Sequence, residues 1–142
     1  MLRRLVLASA VSAAALAAGP LPPLPLGLLH EPAPDRLTVT VAGSGNPRAD
    51  GSYELTCDPV GGTHPEAKRA CARLHAFAEE GADPFAPVST RSTCTQQHGG
   101  PARAEVTGTW RGKRVQAAFD RKNGCEISRW KDLEPVLPSV RS

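Results

Sequence analysis

Apolar and polar residues alternate in four short segments of this chain, which is the pattern of β-strands with one buried face. These segments span residues 37–41, 53–57, 102–110 and 114–119. Turn-forming residues at 42–47 separate the first two, so we expect those strands to pair as antiparallel neighbours. Residues 111–113 leave room only for a tight turn, so the sequence predicts a hairpin between the last two strands.

A helix is predicted between the second and third strands, because apolar residues recur at helical spacing and stop before Gly81. These residues are Ala67, Ala70, Cys71, Leu74, Phe77 and Ala78. Two starts fit the pattern: Thr63 as the cap with Glu66 reaching back to it, or His64 as the cap. The last segment, from Cys125 onward, carries apolar residues that can cover the core. They are Trp130, Leu133, Val136 and Leu137.

The first third of the chain has the composition of a targeting segment followed by a linker. Two arginines precede an uncharged run of Leu, Val and Ala, and residues 15–17 have the small-x-small form that signal peptidase accepts. A retained membrane anchor is the alternative, but the prolines between residues 20 and 25 would break a membrane-spanning helix. We therefore expect a signal peptide at 1–17, a Pro- and Leu-rich leader at 18–35, and a folded domain at 36–142. The protein would be secreted and extracellular, with no membrane association after cleavage.

All four cysteines, Cys57, Cys71, Cys94 and Cys125, lie in the predicted domain. An even number behind a signal peptide indicates two disulfides, and four cysteines allow three pairings. Cys71 lies on the apolar stripe of the helix, where Cys57 at the end of a strand can meet it, and the sequential pairing would close two separate loops. Zinc is the alternative, but there is no Cys-x-x-Cys and no histidine pair at ligand spacing. We expect no metal and no cofactor.

Charge and catalytic motifs argue against two classes of function. The formal net charge is +3, and basic residues are interspersed with acidic ones, so nucleic acid is not an expected partner. No segment resembles the Gly-x-Ser-x-Gly elbow of hydrolases, and we do not expect an enzyme.

The polar stretch from Thr93 to Pro101, fastened at its start by Cys94, has no acid/base pair and no phosphate cradle. We interpret it as a surface for a partner.

Several short segments between Leu37 and Ser128 match a known family in their order and spacing. The segments are Leu37-Thr38-Val39, Leu55-Thr56-Cys57, Gly62-Thr63-His64-Pro65 followed by Ala70-Cys71, Cys94-Thr95, Gly108-x-Trp110-x-Gly112-Lys113-Arg114-Val115, and Asn123-Gly124-Cys125. Together they resemble the Streptomyces subtilisin-inhibitor family of secreted serine-protease inhibitors. The resemblance implies an α+β fold with an antiparallel sheet of about five strands and two short helices. It also implies the sequential disulfides, Cys57–Cys71 and Cys94–Cys125, and a homodimer built by sheet packing.

The resemblance implies a function as well: inhibition of an extracellular subtilisin-like serine protease through an exposed, substrate-like loop. In the family the reactive bond follows the second residue after the third cysteine, Cys94 in this chain. That position gives Gln96–Gln97, with Thr95 before the bond and His98 after it. The alternative register is Gln97–His98, if an extra residue lies before the bond.

Two residues behind the loop are expected to support it. Cys125 would hold the loop through its disulfide. Asn123 corresponds to a family asparagine that braces the loop from beneath, and its side chain could bond to loop carbonyls. Asn-Gly is equally an ordinary turn pair, so both roles stay open.

The loop departs from the family pattern at two places. Gln96 stands where family members commonly carry Met, Lys, Leu or another long or apolar residue, and Gly99-Gly100 lengthens the loop by one residue before Pro101. Two glycines add flexibility where inhibition needs stiffness, so we expect weaker or altered specificity, with trypsin-like targets disfavoured. The alternative function is a non-inhibitory extracellular binding or structural module of the same fold.

Overall fold

A computed structural model of the protein describes residues 19–23 and 34–140. The chain divides into two units, Met1–Glu31 and Pro32–Ser142. In the first unit, residues 19–23 are exposed and form neither helix nor strand. The predicted signal peptide at 1–17 and most of the leader lie outside the described residues, so these boundaries remain predictions. In the part of the chain that the structure describes, no helix is long and apolar enough to cross a membrane.

The second unit consists of one antiparallel sheet and two helices, which confirms the predicted α+β class. In chain order the elements are β1 (Arg36–Ala42), β2 (Gly51–Thr56), β3 (Gly61–Gly62), α1 (Ala67–Glu79), β4 (Arg103–Trp110), β5 (Lys113–Phe119) and α2 (Gly124–Asp132). The strands lie in the order β3-β2-β1-β4-β5, so β1 is central. Each neighbouring pair is antiparallel.

One face of the sheet forms the core, as the alternating pattern predicts. Leu37, Val39 and Val41 of β1 are buried, and Val39 lies opposite Val106 of β4. The helices and the C-terminal segment contribute further buried residues to the same cluster. They are Ala70, Cys71, Leu74, Trp130, Leu133, Val136 and Leu137. The C-terminal apolar residues therefore cover the core as expected.

The predicted hairpin joins β4 to β5. Trp110 pairs with Lys113, which leaves Arg111 and Gly112 as a two-residue turn with φ angles of 49° and 74°. Two positive φ values are typical of the type I′ turn, which matches the twist of the flanking strands. The Asp35 carboxylate accepts hydrogen bonds from the amides of Arg111 and Gly112 at 2.6 Å and 3.1 Å. This contact holds a turn in which a non-glycine residue has positive φ.

Helix α1 begins later than either predicted start, because the side chains expected to cap it have other partners. The Thr63 hydroxyl accepts a hydrogen bond from the amide of Glu54 in β2 at 2.9 Å. The Nδ1 atom of His64 accepts from the amide of Glu66 at 3.1 Å, so Nε2 carries the proton and donates to the Val136 carbonyl at 2.9 Å. His64 therefore ties the entrance of α1 to the C-terminal segment.

The disulfide Cys57–Cys71 joins the end of β2 to α1, with the two Cα atoms 5.6 Å apart. Both cysteines are buried in the core. The expected pairing of the first two cysteines is confirmed, and it fixes the helix to the sheet.

Candidate functional site

The polar stretch between α1 and β4 forms an exposed loop. Residues 93–100 adopt neither helix nor strand, and Thr95, Gln96, Gln97 and His98 are all exposed. The next residue, Gly99, is buried. Four successive exposed residues are therefore bounded on the C-terminal side by a residue fixed in the protein.

The disulfide Cys94–Cys125 holds the N-terminal side of the loop. Its Cα atoms lie 5.3 Å apart, and it connects the loop to the first turn of α2. The predicted pairing of the last two cysteines is confirmed. All four cysteines are thus in disulfides.

Thr95 lies directly against the start of α2. Its carbonyl accepts a hydrogen bond from the amide of Gly124 at 3.1 Å. A Cβ atom on Gly124 would lie 2.1 Å from the Thr95 hydroxyl oxygen, a distance that forces one of the two residues to move. Gly124 has no positive φ in this structure, so glycine is needed here for space and not for backbone conformation.

Asn123 serves as the N-cap of α2. Its side-chain oxygen accepts a hydrogen bond from the amide of Glu126 at 3.0 Å, the usual geometry of a helix cap. Neither of the two roles considered from sequence, loop brace or simple turn, describes this contact. The hydrogen bonds that reach the loop from this segment come from Gly124 and Arg121 instead.

Gly99 is clamped between two atoms of Arg121. Its amide donates to the Arg121 carbonyl at 2.7 Å, and its carbonyl accepts from Arg121 Nε at 2.9 Å. A Cβ atom at Gly99 would lie 2.8 Å from a side-chain carbon of Ile127 and 3.0 Å from Arg121 Nε. Gly99 therefore permits a close contact, and the expectation that it adds flexibility is wrong.

The second glycine supports a short turn at the end of the loop. Gly100 has a φ of 91°, and its amide donates to Nδ1 of His98 at 3.2 Å. Because Nδ1 accepts this hydrogen bond, the proton of the neutral His98 ring is on Nε2.

The loop has an open cleft on each side. The cleft of about 660 Å³ lies towards α2 and is lined by Thr95 and Gln97, among others. The cleft of about 510 Å³ lies towards the sheet and is lined by His98 and Arg121, among others. Gln96 lines neither cleft. Among the described residues, no group of three or more His, Cys, Asp or Glu is arranged to hold a metal ion.

Arg121 is the site residue that sequence reasoning missed. It lies in the polar run from Asp120 to Gly124, which has the composition of a solvated turn. Yet its side chain is almost fully buried, with an exposed fraction of 2%. Nothing in the spacing of apolar residues predicts a buried arginine at this position.

Comparisons with known proteins agree with this architecture. A family model described as subtilisin inhibitor-like matches residues 33–123. Subtilisin inhibitor-like protein 1 of Streptomyces cacaoi is 33% identical over 105 residues, which cover 71% of this chain and 92% of that protein. Kexstatin-1 of Streptomyces platensis is 35% identical over 119 residues, covering 80% and 79%.

One solved structure with similarity is that of Streptomyces caespitosus sermetstatin in complex with Bacillus licheniformis subtilisin. It is 27% identical, with a TM-score of 0.43, and the match covers 71% of this chain and 93% of that one. The family model alone spans more than half of the 142 residues. This chain belongs to the subtilisin inhibitor-like family.

Proposed function

We propose that this protein is a secreted inhibitor of subtilisin-like serine endopeptidases that binds them through the loop from Cys94 to His98. The observation that supports this proposal most strongly is that the exposed residues Thr95 to His98 are held at both ends. The disulfide Cys94–Cys125 fixes one end, and the Arg121 contacts with Gly99 fix the other.

The physical basis is the entropy of binding. A serine protease binds its substrate as an extended segment, with one side chain in a pocket and the backbone bonded to the cleft. A loop that is ordered before binding loses less conformational entropy than a flexible substrate does. Complexes of this kind bury about 1,600 Å² in total.

We place the reactive bond at Gln96–Gln97. Gln96 is exposed and lines neither flanking cleft, so its side chain is free to enter the pocket of a protease. Gln97–His98 is the alternative, and both bonds lie between the two fixed residues, Thr95 and Gly99. Gln is long but uncharged, so it neither pairs with the acidic pocket of trypsin-like enzymes nor buries as Leu would. We therefore expect subtilisin-like targets and poor binding of trypsin.

Titration of subtilisin with the purified protein tests the proposal. We expect loss of protease activity in proportion to the inhibitor added, reaching completion near one inhibitor per protease. The alternative is a non-inhibitory binding or structural module with the same fold. Unchanged protease activity at micromolar protein would support that alternative and exclude inhibition.

The contact between Gly124 and Thr95 gives a sharper prediction about the loop. Replacement of Gly124 by Ala places a methyl group against the Thr95 hydroxyl and should weaken inhibition about tenfold, because the displaced loop fits the protease cleft less well. Stability should change little, since Ala is a better helix former than Gly.

A second substitution tests whether the contact between the new methyl group and the Thr95 hydroxyl causes the weaker inhibition. Thr95→Ala removes the hydroxyl, so the double variant Gly124→Ala with Thr95→Ala should inhibit as well as Thr95→Ala alone. The inhibition constants of the wild type, the two single variants and the double variant form a double-mutant cycle. Additive losses would show that Gly124 acts in some way other than through Thr95.

We propose that the protein is exported by a signal peptide at 1–17.

We also propose that the protein forms a homodimer through the outer face of the sheet. On that face Thr38, Thr107 and Gln116 lie side by side in neighbouring strands. This surface is polar, so we expect weak association, with monomer and dimer in equilibrium at micromolar concentration. Sedimentation velocity over a concentration series measures the equilibrium. Thr107→Lys should shift it to monomer, and an unchanged dimer would place the interface elsewhere.

A further inference from the structure

Arg121 is a buried cation that is not neutralised by an ion pair. Its side chain has an exposed fraction of 2%, and none of the ion pairs among the described residues includes it. Its Nη1 atom is the one buried side-chain polar atom in the described part of the chain that has no hydrogen-bond partner. A buried charge with an unpaired donor lowers stability, so its presence needs an explanation other than stability.

Among the described residues, Arg121 makes one side-chain hydrogen bond, and it goes to the loop. Its Nε donates to the carbonyl of Gly99 at 2.9 Å, and its own carbonyl accepts from the Gly99 amide at 2.7 Å. The guanidinium carbon lies 5.8 Å from the centre of the Trp130 ring, which is fully buried in the core. Arg121 thus connects a core residue to the C-terminal side of the exposed loop.

The two sides of the loop are held by separate means. On the N-terminal side, the disulfide and the hydrogen bond from Gly124 to Thr95 fix the chain. On the C-terminal side no disulfide is present among the described residues, and the Arg121 contacts with Gly99 take its place. When either candidate bond is cut, Gly99 stays on the C-terminal fragment. The new amine is then on Gln97 or on His98, which lie two residues and one residue before Gly99.

We infer that Arg121 is a positioning residue that makes the loop an inhibitor and prevents it from being turned over as a substrate. This inference rests on the proposed inhibitory function. During attack, the serine hydroxyl of the protease adds to the Gln96 carbonyl carbon, the C–N bond breaks, and the proton from serine passes to the departing amine of Gln97. When Arg121 retains Gly99, the amine stays near the acyl ester and attacks it. The C–N bond then re-forms, and the proton returns to the serine oxygen as it leaves.

Arg121→Met is the direct test, because Met has an unbranched side chain that ends where Arg has its Nε atom, and it has no N–H to donate to Gly99. We expect the Gly99 amide to exchange with solvent at least about tenfold faster, since a hydrogen-bonded contact to a charged group is lost. We also expect a melting temperature equal to or above that of the wild type, because an unpaired buried charge is removed. Inhibition of subtilisin should become temporary, with cut protein accumulating at least about tenfold faster.

Arg129→Met is a matched control. Arg129 is also a poorly exposed arginine that donates to backbone carbonyls, those of Ala86 and Ala118 at 2.8 Å, and its guanidinium lies 3.9 Å from the Phe119 ring. It makes no hydrogen bond to residues 95–100. We expect this variant to melt at a lower temperature but to keep slow exchange at Gly99 and lasting inhibition.

The outcomes separate this inference from the proposed function. The inference would be overturned if the Gly99 amide of the Arg121→Met variant exchanges as slowly as in the wild type and the variant inhibits subtilisin for as long. That result would leave the inhibitory function intact. A wild-type protein that does not inhibit subtilisin would refute the proposed function and the inhibitory role of Arg121 together, whatever the exchange rate. If Arg121→Met does not fold, Arg121→Lys keeps the charge without an Nε donor. We then expect the same faster exchange at Gly99 and the same temporary inhibition, but no rise in melting temperature, because the buried charge remains.

Discussion

Replacement of Cys94 and Cys125 by Ser should convert the protein from an inhibitor into a substrate of subtilisin. The disulfide is the only covalent link across either candidate bond within the described residues, so without it a cut loop releases its N-terminal side. We expect lasting inhibition to fall at least about 100-fold, because both the order of the free loop and the retention of the cut ends are lost. Residual protease activity followed over hours, together with the amount of cut protein, measures the effect.

The matched control is replacement of Cys57 and Cys71 by Ser. The chain-entropy model gives about 3.7 kcal/mol for the Cys94–Cys125 loop and about 3 kcal/mol for the Cys57–Cys71 loop, so the two variants lose similar stability. Only the Cys94–Cys125 disulfide includes a loop residue. At a temperature where both variants are folded, the Cys57 and Cys71 variant should still inhibit. Equal loss of inhibition in both variants would mean that the disulfides act through stability alone.

Replacement of Gln96 by Lys should create a trypsin inhibitor. Trypsin has an acidic residue at the base of its pocket, and a Lys ammonium pairs with it where the Gln amide does not. We expect the affinity for trypsin to rise at least about 100-fold, since a desolvated ion pair in a specificity pocket dominates recognition. The inhibition constant for trypsin measures the gain.

Gln97→Lys is the control for the register of the bond. It adds the same charge one residue further along an equally exposed segment. If only Gln96→Lys gains affinity for trypsin, Gln96 enters the pocket. A gain in Gln97→Lys instead would place the reactive bond at Gln97–His98.

Much of the fold was predictable because alternation and helical spacing are local signals. The strands containing Leu37 and Val106, and the tight turn at Gly112, follow directly from the pattern. The short strand β3 did not, since two glycines carry no pattern. A Cβ at Gly62 would lie 2.1 Å from the Glu54 carbonyl oxygen, so this strand depends on the close approach of the β2 backbone.

The site was predictable only in part. The cysteines and the exposed residues from Thr95 to His98 could be identified, because the cysteine positions and the family motifs can be read directly from the sequence. The fixed position of Gly99 could not, because it depends on one side chain, Arg121, that the fold turns inward. Local composition predicts flexibility at Gly99, and the tertiary contact with Arg121 reverses that prediction.

Mass spectrometry of the protein after incubation with subtilisin at mildly acidic pH tests the central claim most directly. If the loop is a held, substrate-like segment with its reactive bond at Gln96–Gln97, one species should gain the mass of one water. Its two pieces should stay joined by the Cys94–Cys125 disulfide and separate only on reduction, with the first piece ending at Gln96. A single cut elsewhere, cuts at several bonds, or digestion of the whole protein would contradict the account.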